Sequence, residues 1–227
     1  MNTTGFIFDL DGVIVDTAKY HYQAWKKLAA QLGFEFTEAH NELFKGVSRV
    51  RCLEILLEIG GLTVSKEQFD TWLIEKNEDY LNYIEKMDAS EILPGVEEIL
   101  RYLKENNIPM ALGSASKNAV PILEKVNLRN YFDAIVDGNN VTKAKPDPEV
   151  FLLAAKQLGV APEHCVVFED AVAGIGAANA AGMTSIGIGE KEVLAEADHN
   201  VDQFKEIDVP FVQDLIAVIM NTKAQEN

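Results

Sequence analysis

Five short, uninterrupted apolar runs constrain the fold of this chain more than any other feature of the sequence. Continuous apolar runs are typical of strands that are covered on both faces. Amphipathic helical stretches follow at 95–106, 148–158 and 172–181. Strands that alternate with helices predict an α/β fold with a parallel sheet and helices on both faces. The predicted strands are Gly5–Phe8, Ile108–Leu112, Ala134–Val136, Cys165–Phe168 and Ser185–Ile188.

One segment interrupts this alternation, because residues 13–92 contain helical patterns and no convincing strand. Residues 18–32 and 50–59 carry apolar side chains at helical spacing. Ser65 and Gln68 form a candidate capping box for a long helix that runs toward Met87. We therefore predict a helical domain at 15–92, inserted into a core domain made of residues 1–14 and 93–227.

The charge of the chain excludes several classes of partner. The chain has 20 Lys and Arg and 36 Asp and Glu, which gives a net charge of -16. Such a field repels nucleic acid and anionic membranes, so we expect neither as a partner. It also repels phosphorylated metabolites, so a phosphate site would need a local cluster of cations and a metal.

The N-terminal apolar run Phe6-Ile7-Phe8 is too short for a signal peptide or a membrane span, and no later run reaches membrane length, so we expect neither. Cys52 and Cys165 fit no metal-ligand spacing. A disulfide stays open at this point, but two buried free thiols in a reducing cytosol are the simpler reading. We therefore expect a cytoplasmic protein.

Two acidic pairs follow predicted strands. Ligands of parallel α/β sheets bind beyond the carboxyl ends of the strands, and Asp9 and Asp11 lie at the end of the first strand. Two residues apart in extended chain, these carboxylates point the same way. They read either as a solvated acidic turn or as a metal site with a nucleophile and a proton donor.

The second acidic pair, Glu169 and Asp170, ends the most apolar strand. Asp170 could instead cap the helix that follows. Four carboxylates at one sheet edge would need a hard cation, and oxygen ligands select Mg²⁺.

Ser114 and Lys145 are candidate phosphate-binding residues. Ser114 follows a strand and is expected to open a helix, where a hydroxyl and free backbone N–H groups make an anion site. An ordinary serine cap would show the same pattern. Lys145 lies in a loop with two prolines and could neutralise the nucleophile and the transferring phosphoryl oxygens. Most loop lysines are simply solvated.

Taken together, these residues resemble the four motifs of the haloacid dehalogenase-like superfamily. Asp9-x-Asp11-Gly12, Ser114, Lys145 and Glu169-Asp170 occur in the same order and contexts, over nearly the whole chain. The resemblance implies a Rossmann-like core, Mg²⁺ as the cofactor and an aspartyl-phosphate intermediate. It also implies that residues 15–92 are an α-helical cap domain.

Within that superfamily the chain is most similar to the β-phosphoglucomutase family. The similarity rests on residues 9–21 with Trp25, on 45–49, on Lys76-Asn77 and on 114–118. It implies a monomer that interconverts β-D-glucose 1-phosphate and glucose 6-phosphate through β-glucose 1,6-bisphosphate. Gly113 and the run Val50-Arg51-Cys52 depart from the family pattern, which affects packing or sugar contacts.

The resemblance also implies roles. Asp9 would be the nucleophile and a Mg²⁺ ligand, and Asp11 the general acid/base, with its backbone carbonyl on the metal. Glu169 and Asp170 would complete the metal site, with Ser114 and Lys145 on the transferring phosphoryl group. Thr17 and His21 would position Asp11. The other phosphate and the sugar would contact Gly46, Val47, Ser48, Arg49, Lys76, Ala115, Ser116, Lys117 and Asn118.

Other readings stay open. A sugar-phosphate phosphatase would share every core motif, and only the cap residues and 116–118 argue for a mutase. A non-catalytic binding protein on the same scaffold is a third candidate, although it would need neither Asp9 nor Asp11. His21 could be a packed core histidine, and Arg49 a solvated residue at a helix start.

Overall fold

A six-stranded sheet, parallel throughout, forms the core of the molecule. The computed structural model describes residues 3–45 and 47–222. The strand order is β3-β2-β1-β4-β5-β6, which confirms the predicted Rossmann-like α/β fold. The strands are β1 (Gly5–Phe8), β2 (Met110–Gly113), β3 (Ala134–Val136), β4 (Cys165–Glu169), β5 (Thr184–Ile188) and β6 (His199–Val201).

Nine α-helices belong to the described part of the chain. Five of them lie between β1 and β2, and the other four follow β2. They are α1 (Ala18–Gln31), α2 (Glu38–Glu42), α3 (Arg49–Gly60), α4 (Lys66–Ile84), α5 (Val96–Glu105), α6 (Ala119–Lys125), α7 (Glu149–Leu158), α8 (Val172–Ala180) and α9 (Val209–Thr222).

Helices cover both faces of the sheet. Phe6 and Phe8 of β1 point into an apolar cluster with α5, α6 and α9, whereas Ile7 points into a second cluster with α7 and α8. Both faces of β1 are therefore buried, which explains its continuous apolar sequence. The ring of Phe8 stacks on that of Phe168 in β4, with centroids 4.8 Å apart.

Helices α1, α3 and α4 pack largely on one another, whereas α5 packs on the sheet. Trp25, Leu28, Phe36, Leu53 and Leu56 form a separate apolar cluster among α1, α3 and the intervening chain. Ser65 caps α4, since its hydroxyl accepts a hydrogen bond from the Gln68 N–H at 3.2 Å. The segment 15–92 is called the cap below, and its status as a separate domain is a proposal.

Two chain segments join the cap to the core side by side. The Leu93 N–H donates to the Ile14 carbonyl at 3.0 Å, and the Asp16 N–H donates to the Glu91 carbonyl at 2.9 Å. Val15 and Ile92 form an antiparallel bridge between them. The entry and the exit of the cap are therefore neighbours, beside the sheet edge where β1 ends.

One local expectation is wrong: Ser114 does not open a helix, because α6 begins at Ala119. The Ser114 hydroxyl accepts from the Ser116 N–H at 3.0 Å, and the Ser116 hydroxyl accepts from the Asn118 N–H at 3.2 Å. Such side-chain bonds hold the backbone in turns and compete with helix formation.

Cys52 and Cys165 are buried free thiols and form no disulfide with one another. Across the described residues, no helix combines the length and the apolar character needed to cross a membrane.

Candidate active site

Three carboxylates converge where β1 and β4 end. The Asp9 N–H donates to the Phe168 carbonyl at 2.9 Å, which holds the ends of the two strands side by side. Asp9, Glu169 and Asp170 each offer a carboxylate oxygen, and these oxygens lie within 4.8 Å of one another. Asp9 and Glu169 are buried, and Asp170 is half-buried. The pairing of β1 with β4 therefore brings together three of the four carboxylates that the sequence predicted, and the fourth, Asp11, is not in this cluster.

Lys145 neutralises part of this cluster. Its Nζ donates to Asp9 Oδ1 at 2.6 Å, to Glu169 Oε2 at 2.8 Å and to the Gly113 carbonyl at 3.2 Å. Burial acts to lower the pKa of Lys145, but the charges of Asp9 and Glu169 outweigh it and raise the pKa above its ordinary value. Lys145 is therefore a fixed ammonium group against the predicted nucleophile, and not a solvated loop lysine.

The single positive charge of Lys145 does not neutralise the three carboxylates of the cluster. Burial and then the charge of Asp9 raise the pKa of Glu169 to about 8 and that of Asp170 to about 7. Carboxylate oxygens this close together suit a hard divalent cation, and Mg²⁺ fits this set of donors. Asp170 does not cap α8, because the cap position is Ala171 and no side chain bonds the helix end there.

Two glycines let the backbone approach these carboxylates. Gly12 has a φ of +80°, and a Cβ added to it would lie 2.2 Å from Asp170 Oδ2. A Cβ added to Gly174 would lie 1.9 Å from Glu169 Cδ. Gly174, in the run Gly174-Ile175-Gly176, lies in α8. Because it has no side chain, α8 can pack closely against the site.

Asp11 lies apart from the three-carboxylate cluster. Its Oδ1 accepts a hydrogen bond from the Thr17 hydroxyl, which is buried at the start of α1. Burial and then the charge of Asp9 raise the pKa of Asp11 to about 7. A carboxyl group with such a pKa can both give and take a proton near neutral pH.

A cavity of about 510 Å³ separates this edge of the sheet from the cap. Thr17 and Glu169 are buried outside its lining, and Gly46 lies outside the described residues. The other predicted site residues all line it, namely Asp9, Asp11, His21, Val47, Ser48, Arg49, Lys76, Ser114, Ala115, Ser116, Lys117, Asn118, Lys145 and Asp170.

On the cap side, two of the cations that line the cavity lack a carboxylate partner among the described residues, whereas Lys45 pairs with Glu42 at 2.9 Å. Lys76 is only 2% exposed, and its Nζ lies 2.9 Å from His21 Nδ1 and over the rings of Trp25 and Tyr80. Neither Lys76 nor Arg49 forms an ion pair with a carboxylate within 3–45 and 47–222. Burial lowers the pKa of Lys76 to about 7. An anion entering the cavity would supply the missing partner.

The structure gives His21 both of the environments considered from the sequence, that of a packed core residue and that of a site residue. Its ring stacks on Tyr80 with centroids 4.0 Å apart, as a packed histidine would, and it also lines the cavity. Burial and then the charge of Lys76 lower its pKa well below the ordinary value, so the imidazole is neutral.

Tyr80 is a site residue that the sequence reasoning missed. It lies one turn after Lys76 in α4, so the two side chains share a helix face. Its ring contacts both His21 and Lys76. The spacing of four from Lys76 indicates a shared helix face, but the contact with His21 depends on how α4 packs against α1 and cannot be read from the sequence.

Comparison with known proteins agrees with this geometry. A profile of the family described as haloacid dehalogenase-like hydrolase matches residues 3–182. The chain belongs to the haloacid dehalogenase-like hydrolase family. The relatives described next are named for phosphate chemistry, and together with the family they support an enzyme that acts on phosphate compounds.

Relatives within the haloacid dehalogenase-like family include mutases and phosphatases. A β-phosphoglucomutase of Bacillus subtilis is 42% identical over 88% of this chain and 90% of its own length. A phosphorylated carbohydrates phosphatase of Thermotoga maritima is 35% identical over 79% and 82%. A crystal structure of a β-phosphoglucomutase from Clostridium difficile superposes with a TM-score of 0.91 and 41% identity, over 96% of this chain and 99% of that one.

Proposed function

We propose that this enzyme interconverts β-D-glucose 1-phosphate and glucose 6-phosphate through an aspartyl phosphate on Asp9 and β-glucose 1,6-bisphosphate. The observation that carries the proposal is that cations face the cavity from both sides. Lys145 lies against Asp9 in the core, and Arg49 and Lys76 face the cavity from the cap, with no carboxylate ion-pair partner in the part of the chain that the structure describes. A bisphosphate would meet cations at both ends, which a phosphatase acting on one phosphate does not require.

The reaction starts from phosphorylated Asp9. A sugar hydroxyl attacks the phosphorus, Asp11 takes the hydroxyl proton, and the bond from phosphorus to the Asp9 carboxylate breaks. The bisphosphate then turns end for end. Asp9 attacks its other phosphorus, the bond from sugar oxygen to phosphorus breaks, and Asp11 returns the proton to that oxygen.

The remaining core residues position and neutralise the transferring group. Lys145 and Ser114 bind its oxygens, which lowers the cost of the charge that develops there. Asp9, Glu169, Asp170 and the Asp11 carbonyl would hold Mg²⁺, which supplies further positive charge at the phosphoryl oxygens. The cap excludes water when it closes, so that a sugar hydroxyl and not water takes the phosphoryl group.

A phosphatase is the second candidate, supported by the relative from Thermotoga maritima. It would use the same Asp9 and Asp11, with water in place of the sugar hydroxyl. A binding protein without catalysis is disfavoured, because Lys145 is held against an intact Asp9.

One assay separates these functions. The enzyme is given β-glucose 1-phosphate, Mg²⁺ and a catalytic amount of β-glucose 1,6-bisphosphate, and glucose 6-phosphate and free phosphate are both measured. Glucose 6-phosphate formed without stoichiometric phosphate supports the mutase. Free phosphate alone supports the phosphatase. If neither product forms, both enzymatic functions are contradicted for this sugar.

Replacing the nucleophile gives the first prediction. Asp9→Asn is expected to abolish turnover, because an amide does not form the phosphoenzyme. Intact-mass spectrometry should find no phosphorylated protein in this variant, while the wild type gains one phosphoryl group. Turnover retained by Asp9→Asn would contradict the assignment of the nucleophile.

The compartment and the assembly are part of the same proposal. Two buried free thiols fit the reducing cytoplasm. We propose a monomer, and light scattering coupled to size-exclusion chromatography tests it.

A further inference from the structure

A threonine hydroxyl at the hinge is used in an unusual way. Thr17 occupies the N-cap position of α1, where its side chain would ordinarily accept a hydrogen bond from the first turn. It makes no such bond and donates instead to Asp11 Oδ1. The start of α1 therefore gives up a stabilising cap in order to fix the orientation of Asp11.

The hydroxyl of Tyr80 lies unpaired beside this bond. It is buried, and no hydrogen bond of standard geometry reaches it in the described part of the chain, although the Thr17 hydroxyl is close enough to act on it by hydrogen bonding. A buried hydroxyl without a partner is costly, and it persists where function uses it. Burial and then the charge of Asp11 raise the pKa of Tyr80 well above its ordinary value, while the nearby Thr17 hydroxyl acts in the opposite direction. The phenol is therefore neutral and able to donate.

The Thr17 oxygen offers the acceptor that this donor lacks. Its hydrogen is already committed to Asp11, and its lone pairs are not used to cap α1. The Tyr80 ring is held in place by its stacking on His21 at 4.0 Å and by the Lys76 ammonium 4.9 Å from its centre. Helix α4 packs directly against α1, and the Thr17 hydroxyl is close enough to affect the pKa of the phenol by hydrogen bonding.

We propose that Tyr80 is a positioning residue for the acid/base group: its hydroxyl donates to Thr17 and thereby directs the Thr17 hydrogen onto Asp11. The chain Tyr80–Thr17–Asp11 couples the docking of α4 to the placement of the proton donor. This inference rests on the proposed function only in the role given to Asp11, which a mutase and a phosphatase share.

The test uses Tyr80→Phe, which removes one oxygen and keeps the ring stacked on His21. Turnover of β-glucose 1-phosphate, by transfer or by hydrolysis, is measured together with the phosphorylation of Asp9 by acetyl phosphate. A sugar alkoxide needs a proton in order to leave, whereas acetate leaves unprotonated. We expect kcat on the sugar phosphate to fall about 10- to 100-fold with KM nearly unchanged, because misplacing the general acid removes part of its contribution to the rate. The rate of phosphoenzyme formation from acetyl phosphate, followed by intact-mass spectrometry, should stay within about twofold of wild type.

Two further variants sharpen the result. Thr17→Val should show the same selective loss on the sugar phosphate. The double variant should be no less active than the more impaired of the two single variants, because both substitutions act on the bond between Thr17 and Asp11. Tyr83→Phe is the matched control, since Tyr83 lies in the same helix and stacks on Tyr20, away from Asp11. It should behave as wild type in both assays.

The outcomes are distinct. Wild-type turnover by Tyr80→Phe, or an equal loss in both assays, overturns the inference and leaves the proposed function intact. A wild-type enzyme that forms the phosphoenzyme but processes no sugar phosphate defeats the proposed function, and it removes the leaving group that Tyr80 was to serve. Selective loss on the sugar phosphate supports the role of Tyr80.

Discussion

At the scale of single residues, the site gathers carboxylates that repel one another in a buried place. Isolated buried charges are expensive, and they persist only when they are paired or bound to a cation. Lys145 supplies one positive charge to Asp9 and Glu169 together. The arrangement of Asp170 depends on a different feature, the missing side chain of Gly12.

Gly12→Ala is expected to impair binding of Mg²⁺. The added Cβ would lie 2.2 Å from Asp170 Oδ2, so the carboxylate must move away from the cluster. Because a bound ion stabilises the folded state, a Mg²⁺ titration of the melting temperature measures its affinity. The variant should need more Mg²⁺ than wild type for the same rise in melting temperature and in activity.

Gly33→Ala is the control for backbone strain. Gly33 has a φ of +89°, similar to that of Gly12, but a Cβ there would meet nothing within 4 Å. Both variants should lose about 1–2 kcal/mol of stability to the left-handed conformation. An equal Mg²⁺ response in the two variants would contradict the role given to Gly12.

At the scale of elements, α4 connects the cap to both parts of the site. Lys76 and Tyr80 face the His21 ring, and the side-chain oxygen Oδ1 of Asn77 accepts a hydrogen bond from Asn118 Nδ2 at 3.0 Å. Asn118 belongs to the segment after β2, so one helix contacts the acid/base region and the core phosphate segment. The position of α4 therefore determines how the two sides of the cavity meet.

The buried ammonium of α4 predicts a pH dependence of stability. Lys76 releases its proton near pH 7 in the folded state and near 10.5 when unfolded. Between these values the unfolded chain binds more protons, so this group makes stability rise with pH, by up to about 1.4 kcal/mol per unit. Below pH 7 Lys76 is charged in both the folded and the unfolded state, so the full cost of burying its charge is subtracted from the free energy of unfolding.

Lys76→Met isolates this contribution. The variant should be more stable than wild type at pH 6, and the difference should shrink as the pH rises toward 10.5. Urea unfolding of both proteins from pH 6 to 10 without added phosphate measures it, and subtraction removes the titration of the carboxylates. A difference independent of pH would show that Lys76 is not a destabilising buried charge.

Element by element, the sequence is informative where strands are covered on both faces. The strands β1 to β5 were predicted to within two residues, because their burial gives continuous apolar runs. The strand β6 escaped notice because it is a short edge strand that reads His-Asn-Val. Asp9, Glu169 and Asp170 could be found because they follow strands. Tyr80 could not be placed, since its surroundings depend on how α4 packs against α1.

At the scale of the whole molecule, the net charge opposes the charge of the cavity. The chain carries -16. Among the described residues, the cavity is lined by six Lys or Arg (45, 49, 76, 117, 143 and 145) and by three Asp (9, 11 and 170). Charges farther away than about 8–10 Å are largely screened in ordinary buffers. The local excess of cations therefore governs the approach of a phosphate ester.

We expect kcat/KM for the sugar phosphate to fall as NaCl is raised from about 0.02 to 0.3 M, because salt weakens the attraction to these cations. A rise with salt would show that the global negative charge dominates. Lys143→Gln should flatten the dependence, since this exposed lysine lines the cavity. Lys191→Gln, exposed outside the cavity lining, should leave the dependence unchanged.

The adjacent connections at 14–16 and 91–93 have a consequence for how such a molecule can be rebuilt. A segment whose two ends leave the sheet at one point can be replaced as a cassette without altering the strand order. Exchanging this segment between homologues would then change the compound that is recognised, while the reactive aspartate and its lysine stay in place. Such an exchange would also carry Thr17 and Tyr80 with the cap, so it would report on the placement of Asp11 as well as on substrate choice.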